Sequence, residues 1–320
     1  MNIDQFRDNF SDETVCRTYF ESFIWPEGRR CPHCGHGKSY RIKSVRPGMY
    51  ECSRCKRQFT VTTKTPIHST KLPLWKWLQA MYYILNSSKG ISSVVLGRWL
   101  GVSQPTAWKM GHSIRLMMTP DATKRLDGIV EVDEKYVGGK PRYQPGVIHK
   151  RGRGTAKQWV FVAAQRHGSV RAVPVKNSQI GVLAPVIDKI ISSNAELMSD
   201  GHHSYRWMGH NFATHDTVSH GKREYARGQT HTNTAESFGA LLERTKLGVF
   251  HFLSNNHIHR YLNELEFRWH HRIPEEKITR TGMKKNCHET YACIASAGVI
   301  AQCCCRQTTS PNKKQRDFFF

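Results

Sequence analysis

Three carboxylates stand where this chain could cut and join phosphodiesters. Asp133 lies in the apolar stretch Gly128-Ile-Val-Glu-Val-Asp133-Glu-Lys-Tyr-Val-Gly-Gly-Lys140, Asp200 closes Glu196-Leu-Met-Ser-Asp200, and Glu236 sits in Asn233-Thr-Ala-Glu236-Ser-Phe. Thirty-five residues separate the last two. Carboxylates brought together repel unless cations hold them, and Mg2+ prefers such hard oxygen ligands. Two ions about 3.5 to 4 Å apart activate an attacking oxygen and stabilise a leaving one. Taken singly, each acid has a plainer reading. Asn233-x-x-Glu236 fits a capping box with Asn233 as N-cap, and an Asp at a strand end is often a turn residue. Their order and context together favour catalysis.

A second constellation is metal-binding of another kind. Cys31-Pro-His-Cys34 and Cys52-Ser-Arg-Cys55 are separated by seventeen residues, the spacing of a ribbon in which two thiolate pairs close a tetrahedral Zn2+ site. Four cysteine ligands leave no open position, so this zinc is expected to be structural. Arg29, Arg30, Lys38, Arg41, Lys43, Arg46, Arg54, Lys56 and Arg57 surround it, which suits phosphate contact as well as a solvated surface.

Composition narrows the partner. With 48 Lys+Arg against 25 Asp+Glu the formal charge is +23 over 320 residues, which favours a polyanion, nucleic acid ahead of a membrane surface or an acidic protein. No apolar run approaches bilayer-spanning length, and Met1-Asn-Ile-Asp-Gln-Phe has neither a basic n-region nor an apolar h-region. A cytoplasmic, nucleoid-associated protein is the expectation, with no membrane partner. Of ten cysteines, four are in the paired motif and Cys303, Cys304 and Cys305 are adjacent, a pattern of metal usage and leftover thiols in a reducing compartment.

The elements that must position these residues can be read coarsely. Aromatic spacing over 4–24 predicts a helix, within an amino-terminal segment 1–26; 27–63 reads as the zinc ribbon, with strand-like Ser39-Tyr-Arg-Ile and Gly48-Met-Tyr-Glu-Cys. Helices are predicted at 74–85, 91–100 and 104–118 within a region 64–120. There Ser103 caps the last helix and Pro105 lies in its first turn, the pattern of a helix-turn-helix or of an ordinary αα-hairpin. In the former, Gln104, Thr106 and Lys109 reach base edges in the major groove. Strands at 129–137, 159–164, 170–175 and 196–199, a helix at 180–191 and helices at 234–247 and 257–271 describe an α/β core over 125–275. Lys140, Arg142, Lys150, Arg151, Arg153 and Lys157 crowd a Gly/Pro-rich loop between the first two acids, where clamping of a DNA backbone is economical. His202, His203, His215, His220 and His231 flank the same region without an assigned role. Residues 276–320 read as a basic, partly disordered tail.

Several of these segments, in this order, resemble the insertion-sequence 1595 family of DDE transposases. They are Val132-Asp133-Glu134-x-Tyr136-Val-Gly-Gly-Lys140, Ser199-Asp200-Gly201 with Tyr205, His231-Thr-Asn233-Thr-Ala-Glu236-Ser-Phe238, and Arg260-Tyr-Leu-Asn-Glu-Leu-Glu-Phe-Arg268. With the zinc ribbon and the helices after it, the resemblance covers about residues 15–272. It implies an RNase H-like catalytic core preceded by the zinc ribbon and the helix-turn-helix region. It further implies two divalent ions (Mg2+ or Mn2+), hydrolysis at a transposon end, and attack of the freed 3′-OH on target DNA. A dimer or larger assembly on double-stranded terminal repeats is also implied. Asp133 and Asp200 become the first two metal ligands. Family members use Asn or Glu as the third; of Asn233 and Glu236, the carboxylate holds Mg2+ better. Seven residues after Glu236, where the family has a basic residue, stands Glu243, with Arg244 next as the candidate DNA contact. The rival expectation is a non-catalytic DNA-binding regulator that keeps only the ribbon and the helix-turn-helix.

Overall fold

The computed structural model describes residues 2–42, 47–139, 145–146, 148, 157–201, 203–219, 221, 224–278 and 284–289. The chain divides into two compact units, Met1–Thr119 with Arg272–Phe320, and Pro120–His271.

In the first unit, α1 (Ile3–Asn9) opens on a reciprocal capping box between Asn2 and Gln5, and α2 (Glu13–Ile24) opens on Asp12, whose carboxylate accepts the Thr14 N–H. The single helix predicted over 4–24 is therefore two. Asp12 satisfies the new helix start, and Phe10 packs against Phe6 at a tilt and against Tyr19 edge-on across the break. Then β1 (Ser39–Arg41), β2 (Tyr50–Cys52) and β3 (Gln58–Phe59) form a small antiparallel sheet with β2 central. Tyr50 at its centre donates its hydroxyl to Glu21 of α2 at 2.9 Å.

Three helices follow: α3 (Leu74–Asn86), α4 (Ser93–Leu100) and α5 (Gln104–Met117). Pro73 caps α3 without a side-chain bond. The carboxylate of Glu13, 61 positions earlier, accepts the Leu74 N–H at 2.9 and 3.0 Å instead. Gly101 ends α4 in the left-handed region (φ 61°), and Gly97 lets the next segment approach, since a Cβ there would meet the Val102 carbonyl oxygen at 3.0 Å. Ser103 holds the N-cap position of α5 as the sequence predicts, but its hydroxyl pairs with that of Thr106 at 2.8 Å and makes no capping bond to the backbone. Within 273–289, β11 (Ile273–Ile278) and β12 (Lys284–Glu289) pair antiparallel.

The second unit is built on a five-stranded mixed sheet. Its strands are β4 (Ile129–Val137), β5 (Gln158–Gln165), β6 (Val170–Val175), β7 (Glu196–Asp200) and β8 (Thr214–Val218), in the order β6-β5-β4-β7-β8. The first three run antiparallel and β7 and β8 join parallel. Between them α6 (Ile180–Ile190) crosses over, and α7 (His203–Met208) follows Asp200. The chain then forms a short hairpin of β9 (Ala226–Arg227) and β10 (Thr230–His231), α8 (Asn233–Thr245), a single π turn at Lys246–Phe250, and α9 (Ile258–His270).

Alternation along the strands gives each face its own core. Val160, Val162 and Ala164 pack with Ala235, Phe238 and Leu242 of α8 and Ile258, Leu262 and Leu265 of α9. Trp159, Phe161 and Ala163 pack with Leu183 and Ile187 of α6 and Tyr205 and Met208 of α7. The apolar runs of the central strands reflect this two-sided burial. Among the described residues no helix is long and apolar enough to cross a membrane.

The edge strand β6 is closed by side chains. From α9, one helical turn apart, Glu266 accepts the Ala172 N–H at 2.7 Å and His270 accepts the Val170 N–H at 3.1 Å. This spends the outward-facing donors of an exposed edge. Burial pushes the Glu266 carboxyl from its ordinary 4.5 to about 7, against the opposing pull of the Ala172 N–H and Arg171. The folded state thus holds this proton more tightly than the unfolded chain. The stabilisation is present below about pH 4.5 and lost as pH rises through about 7. Glu266→Gln should flatten this slope, measured as the difference in urea unfolding midpoint between about pH 5 and about pH 8.

Candidate active site

Strand register brings two of the three acids together. Ile129, Val130 and Glu131 of β4 lie beside Glu196, Leu197 and Met198 of β7. The ladder ends there; two residues further along each strand stand Asp133 and Asp200, on one face, and the charge of Asp200 reaches Asp133. Glu236 arrives from α8, whose buried side (Ala235, Phe238, Gly239, Leu242) packs on that face. The Asp133 carboxyl is raised above its ordinary range, chiefly by burial and further by the charges of Glu236 and Asp200, while the hydrogen bond and charge of Lys135 pull it down. Three acids from three elements therefore share one field. Asn233 is the exposed first residue of α8. The N-cap is Thr232, whose hydroxyl donates to Glu236 Oε1 at 3.1 Å, so the capping box expected from Asn233 is not what starts this helix.

What starts it is Glu131, a residue the sequence reading passed over. Fully buried two positions before Asp133, it accepts the Thr234 N–H at 2.5 Å and the Ala235 N–H at 3.2 Å on Oε2, and the Thr234 hydroxyl at 3.0 Å on Oε1. Arg166 Nε donates to Oε1 at 2.6 Å, its Nη2 donates to the His231 carbonyl, and His231 Nδ1 lies 3.1 Å from Oε1. A carboxylate at a helix N-terminus answers both the orphan N–H groups and the helix dipole. Here it also ties the helix carrying Glu236 to the strand carrying Asp133. The available signal was Glu131, Asp133 and Lys135 alternating onto one face of a strand that begins and ends apolar.

The opposite face of β4 is structural. Glu134 accepts the buried Tyr205 hydroxyl at 2.5 Å, which pins α7 just after Asp200. Burial, with Glu134 close by, raises that phenol well above its ordinary value. Ser199 bonds His215 Nε2 at 2.8 Å and donates to the Asp200 carbonyl at 2.9 Å, and burial lowers the His215 imidazole. Of the remaining flanking histidines, His202 and His220 lie outside the described residues.

Of the candidate DNA contacts, Lys140, Arg142, Lys150, Arg151 and Arg153 lie outside the described residues, while Gln104, Lys109 and Arg244 are exposed and Thr106 is half-buried. Gln104 donates to Ser93 of α4 at 2.7 Å. Glu243, the departure after Glu236, pairs at 3.2 Å with Lys246, which also donates to the Gly138 carbonyl at the end of β4.

Cys31, Cys34, Cys52 and Cys55 converge with all four sulfurs within 4.8 Å of one another. Among the described residues no other three His, Cys, Asp or Glu side chains, Asp133, Asp200 and Glu236 included, bring their ligand atoms so close together. Cys31 and Cys55 are 3.7 Å apart and Cys34 and Cys52 3.6 Å, close to the edge of about 3.8 Å that four sulfurs at 2.3 Å from a tetrahedral Zn2+ would have. Each pair sits on a like turn whose next residue is left-handed, Gly35 (φ 75°) and Lys56 (φ 56°). Backbone N–H groups of Cys55 and Arg54 lower the Cys52 thiol to about 6, while burial raises the Cys31 thiol to about 11. Only Tyr50, Phe59 and Trp25 pack around the cluster, so the ion rather than the core would hold this unit.

The purified chain should carry one zinc by elemental analysis, and a chelator or Cys34→Ser should abolish the near-ultraviolet circular dichroism of Trp25 and Tyr50. Glu131→Gln should destabilise the second unit by about 3 kcal/mol, the cost of breaking a buried ion pair on one side, measured by urea unfolding followed through Trp159 and Trp269.

Comparison with known proteins bears on the family of the chain. Residues 125–270, from just before β4 to the end of α9, match the ISXO2-like transposase domain, and residues 11–58 match the transposase zinc-ribbon domain. A protein of the transposable element ISH50 from Halobacterium salinarum is 30% identical over 273 residues, spanning 81% of this chain and 91% of that protein. A solved structure, the Mos1 strand transfer complex, aligns at 13% identity over 60% of this chain and 76% of its own, with a TM-score of 0.18, too low to establish a shared fold. With both domain matches in order and a relative matched over nearly its whole length, the chain belongs to the insertion-sequence 1595 family of transposases.

Proposed function

We propose that this chain binds the terminal inverted repeats of its own element and catalyses divalent-metal-dependent cleavage and strand transfer on double-stranded DNA. The observation that carries the reading is the shared field of Asp133, Asp200 and Glu236, contributed by β4, β7 and α8. Acids drawn from three elements into one field, one of them largely buried, have no reason to be together in a purely structural role.

The three carboxylates offer the hard oxygens that Mg2+ or Mn2+ prefers, and Oδ2 of Asp133 is buried with only the Lys135 ammonium against it among the described residues. Asp133 and Asp200 would hold the ions from the sheet and Glu236 from the helix. Bound there, divalent ions would activate the attacking oxygen and stabilise the leaving one. The protein supplies the geometry: Glu131 fixes the first turn of α8, and Tyr205 with Glu134 fixes the chain after Asp200. An RNase H-like core is supported by the sheet itself, whose central strand carries the first acid and whose parallel neighbour carries the second. A helix-turn-helix at α4 and α5 is supported by the left-handed Gly101 and by the exposed Gln104 and Lys109 early in the second helix. The +23 charge supports a polyanionic partner, and Lys140, Arg142, Lys150, Arg151, Arg153 and Arg244 are the proposed backbone contacts.

The test is a strand-transfer assay on a labelled duplex carrying the element's own ends, with Mg2+ or Mn2+, comparing the native chain with Asp200→Ala. The native chain should give joined products and the variant should lose at least about 100-fold in rate, the scale of removing an electrostatic stabiliser of the transition state. Cut but unjoined products would make it a nuclease. Duplex binding without any product would make it a DNA-binding regulator.

A further inference from the structure

Lys135 is unexplained by either the fold or the chemistry above. It follows Asp133 by two positions on β4, so both side chains leave the same face of the sheet, and its Nζ lies 2.8 Å from Asp133 Oδ2. That oxygen is buried and, apart from this ammonium, has no hydrogen-bond partner among the described residues. The ammonium therefore sits on the oxygen that a divalent ion would be expected to take.

An independent feature shows that the path of this side chain is built into the helix opposite. The lysine stem crosses α8 at Gly239, three residues beyond Glu236 and so on the neighbouring turn of the same side. A Cβ at 239 would lie 2.3 Å from Lys135 Cε, 2.9 Å from Cγ and 3.0 Å from Cδ. Glycine weakens a helix interior relative to alanine, and here its missing side chain is the groove through which the lysine reaches Asp133. The site is thus shaped around Lys135 from two elements, the strand that carries it and the helix that makes room for it.

Three carboxylates in one field repel without a cation among them. An ammonium and a divalent ion cannot both contact the same carboxylate oxygen along one approach. We propose that Lys135 is a tethered counter-cation: its ammonium holds the acid cluster together in the metal-free protein, and a divalent ion must displace it from Asp133 Oδ2 to bind. Metal affinity is then set by competition with a group of the protein itself, and lies below what the three acids alone would give. This inference rests on the reading of Asp133 as a metal ligand.

The experiment is a titration of the zinc-loaded full-length chain with Mn2+, followed by the electron paramagnetic resonance signal of free Mn2+ and by the metal-induced rise in Tm. Native protein is compared with Asp133→Asn, Lys135→Met and Gly239→Ala. Methionine keeps the apolar stem and removes the charge; alanine at 239 keeps the charge and closes the groove. Both should tighten Mn2+ binding by about tenfold, the scale of a half-buried ion pair, and both should lower the Tm of the zinc-loaded chain without added Mn2+ while enlarging the rise on Mn2+ addition. Asp133→Asn should abolish the binding. If Asp133→Asn abolishes binding while Lys135→Met and Gly239→Ala bind with native or weaker affinity, the counter-cation inference is wrong and the metal-ligand reading stands. If the native chain binds no Mn2+, or Asp133→Asn leaves binding unchanged, the metal-ligand reading fails and the inference falls with it.

Discussion

A buried carboxylate that cannot be left unpaired organises the second unit. Glu131 is fully buried in the central strand and has no solvent to turn to. Its negative charge is tolerable only because the first N–H groups of α8, the Thr234 hydroxyl and the Arg166 guanidinium are all aimed at it. The requirement runs both ways. A helix start buried against a sheet has N–H groups that need acceptors, and α8 finds no capping side chain at Thr232. Each side resolves the other's unmet need, and the result fixes where one turn of helix lies over one pair of strand residues. Asp133 and Glu236 are brought into a common field because they flank this joint.

The first unit uses the same device. Pro73 gives α3 no cap, and Glu13 from α2 accepts its first N–H from a distance of 61 positions. Helix starts tied to acids elsewhere in the chain make local structure depend on tertiary contact, since neither helix is properly begun until its distant acid arrives. The ribbon contrasts with this. Its two like turns and three aromatic rings bury too little to hold together, so its order is expected to follow from the ion that four sulfurs are spaced to receive.

Legibility in the sequence follows from the range of the determining interaction. The ribbon is legible because its chemistry is local: a thiolate pair needs a fixed short spacing, and two such pairs at seventeen residues need little else. The central strands are legible because burial on both faces writes an unbroken apolar run. Strand β8, an edge strand whose residues Thr214–Val218 alternate between exposed and half-buried until Val218, carries no such run and escapes detection. The break at Phe10–Asp12 was hidden because aromatic spacing continues across it. Glu131 was invisible for a different reason: in sequence it is another acid in Glu-Val-Asp-Glu, and only the arrival of α8, more than a hundred positions later, gives it a role. The basic loop residues from Lys140 to Arg153 lie outside the described residues.

The segment Arg260–Arg268 shows what a family motif can consist of. On α9, Glu264 and Arg268 pair with each other at 2.7 Å while almost fully buried, and Glu266 reaches the Ala172 N–H on the sheet edge. The groups that act on Asp133 are instead Lys135, Glu236 and Asp200. Glu266, with His270, holds this charged helix against the edge strand β6, which pairs with β5 and through it with β4. An acid site whose ligands come from separate elements depends on those elements keeping register to within a fraction of an ångström. Charged residues far from the chemistry can therefore be as tightly specified by the site as those within it, and the physical link is strand register rather than contact with a substrate.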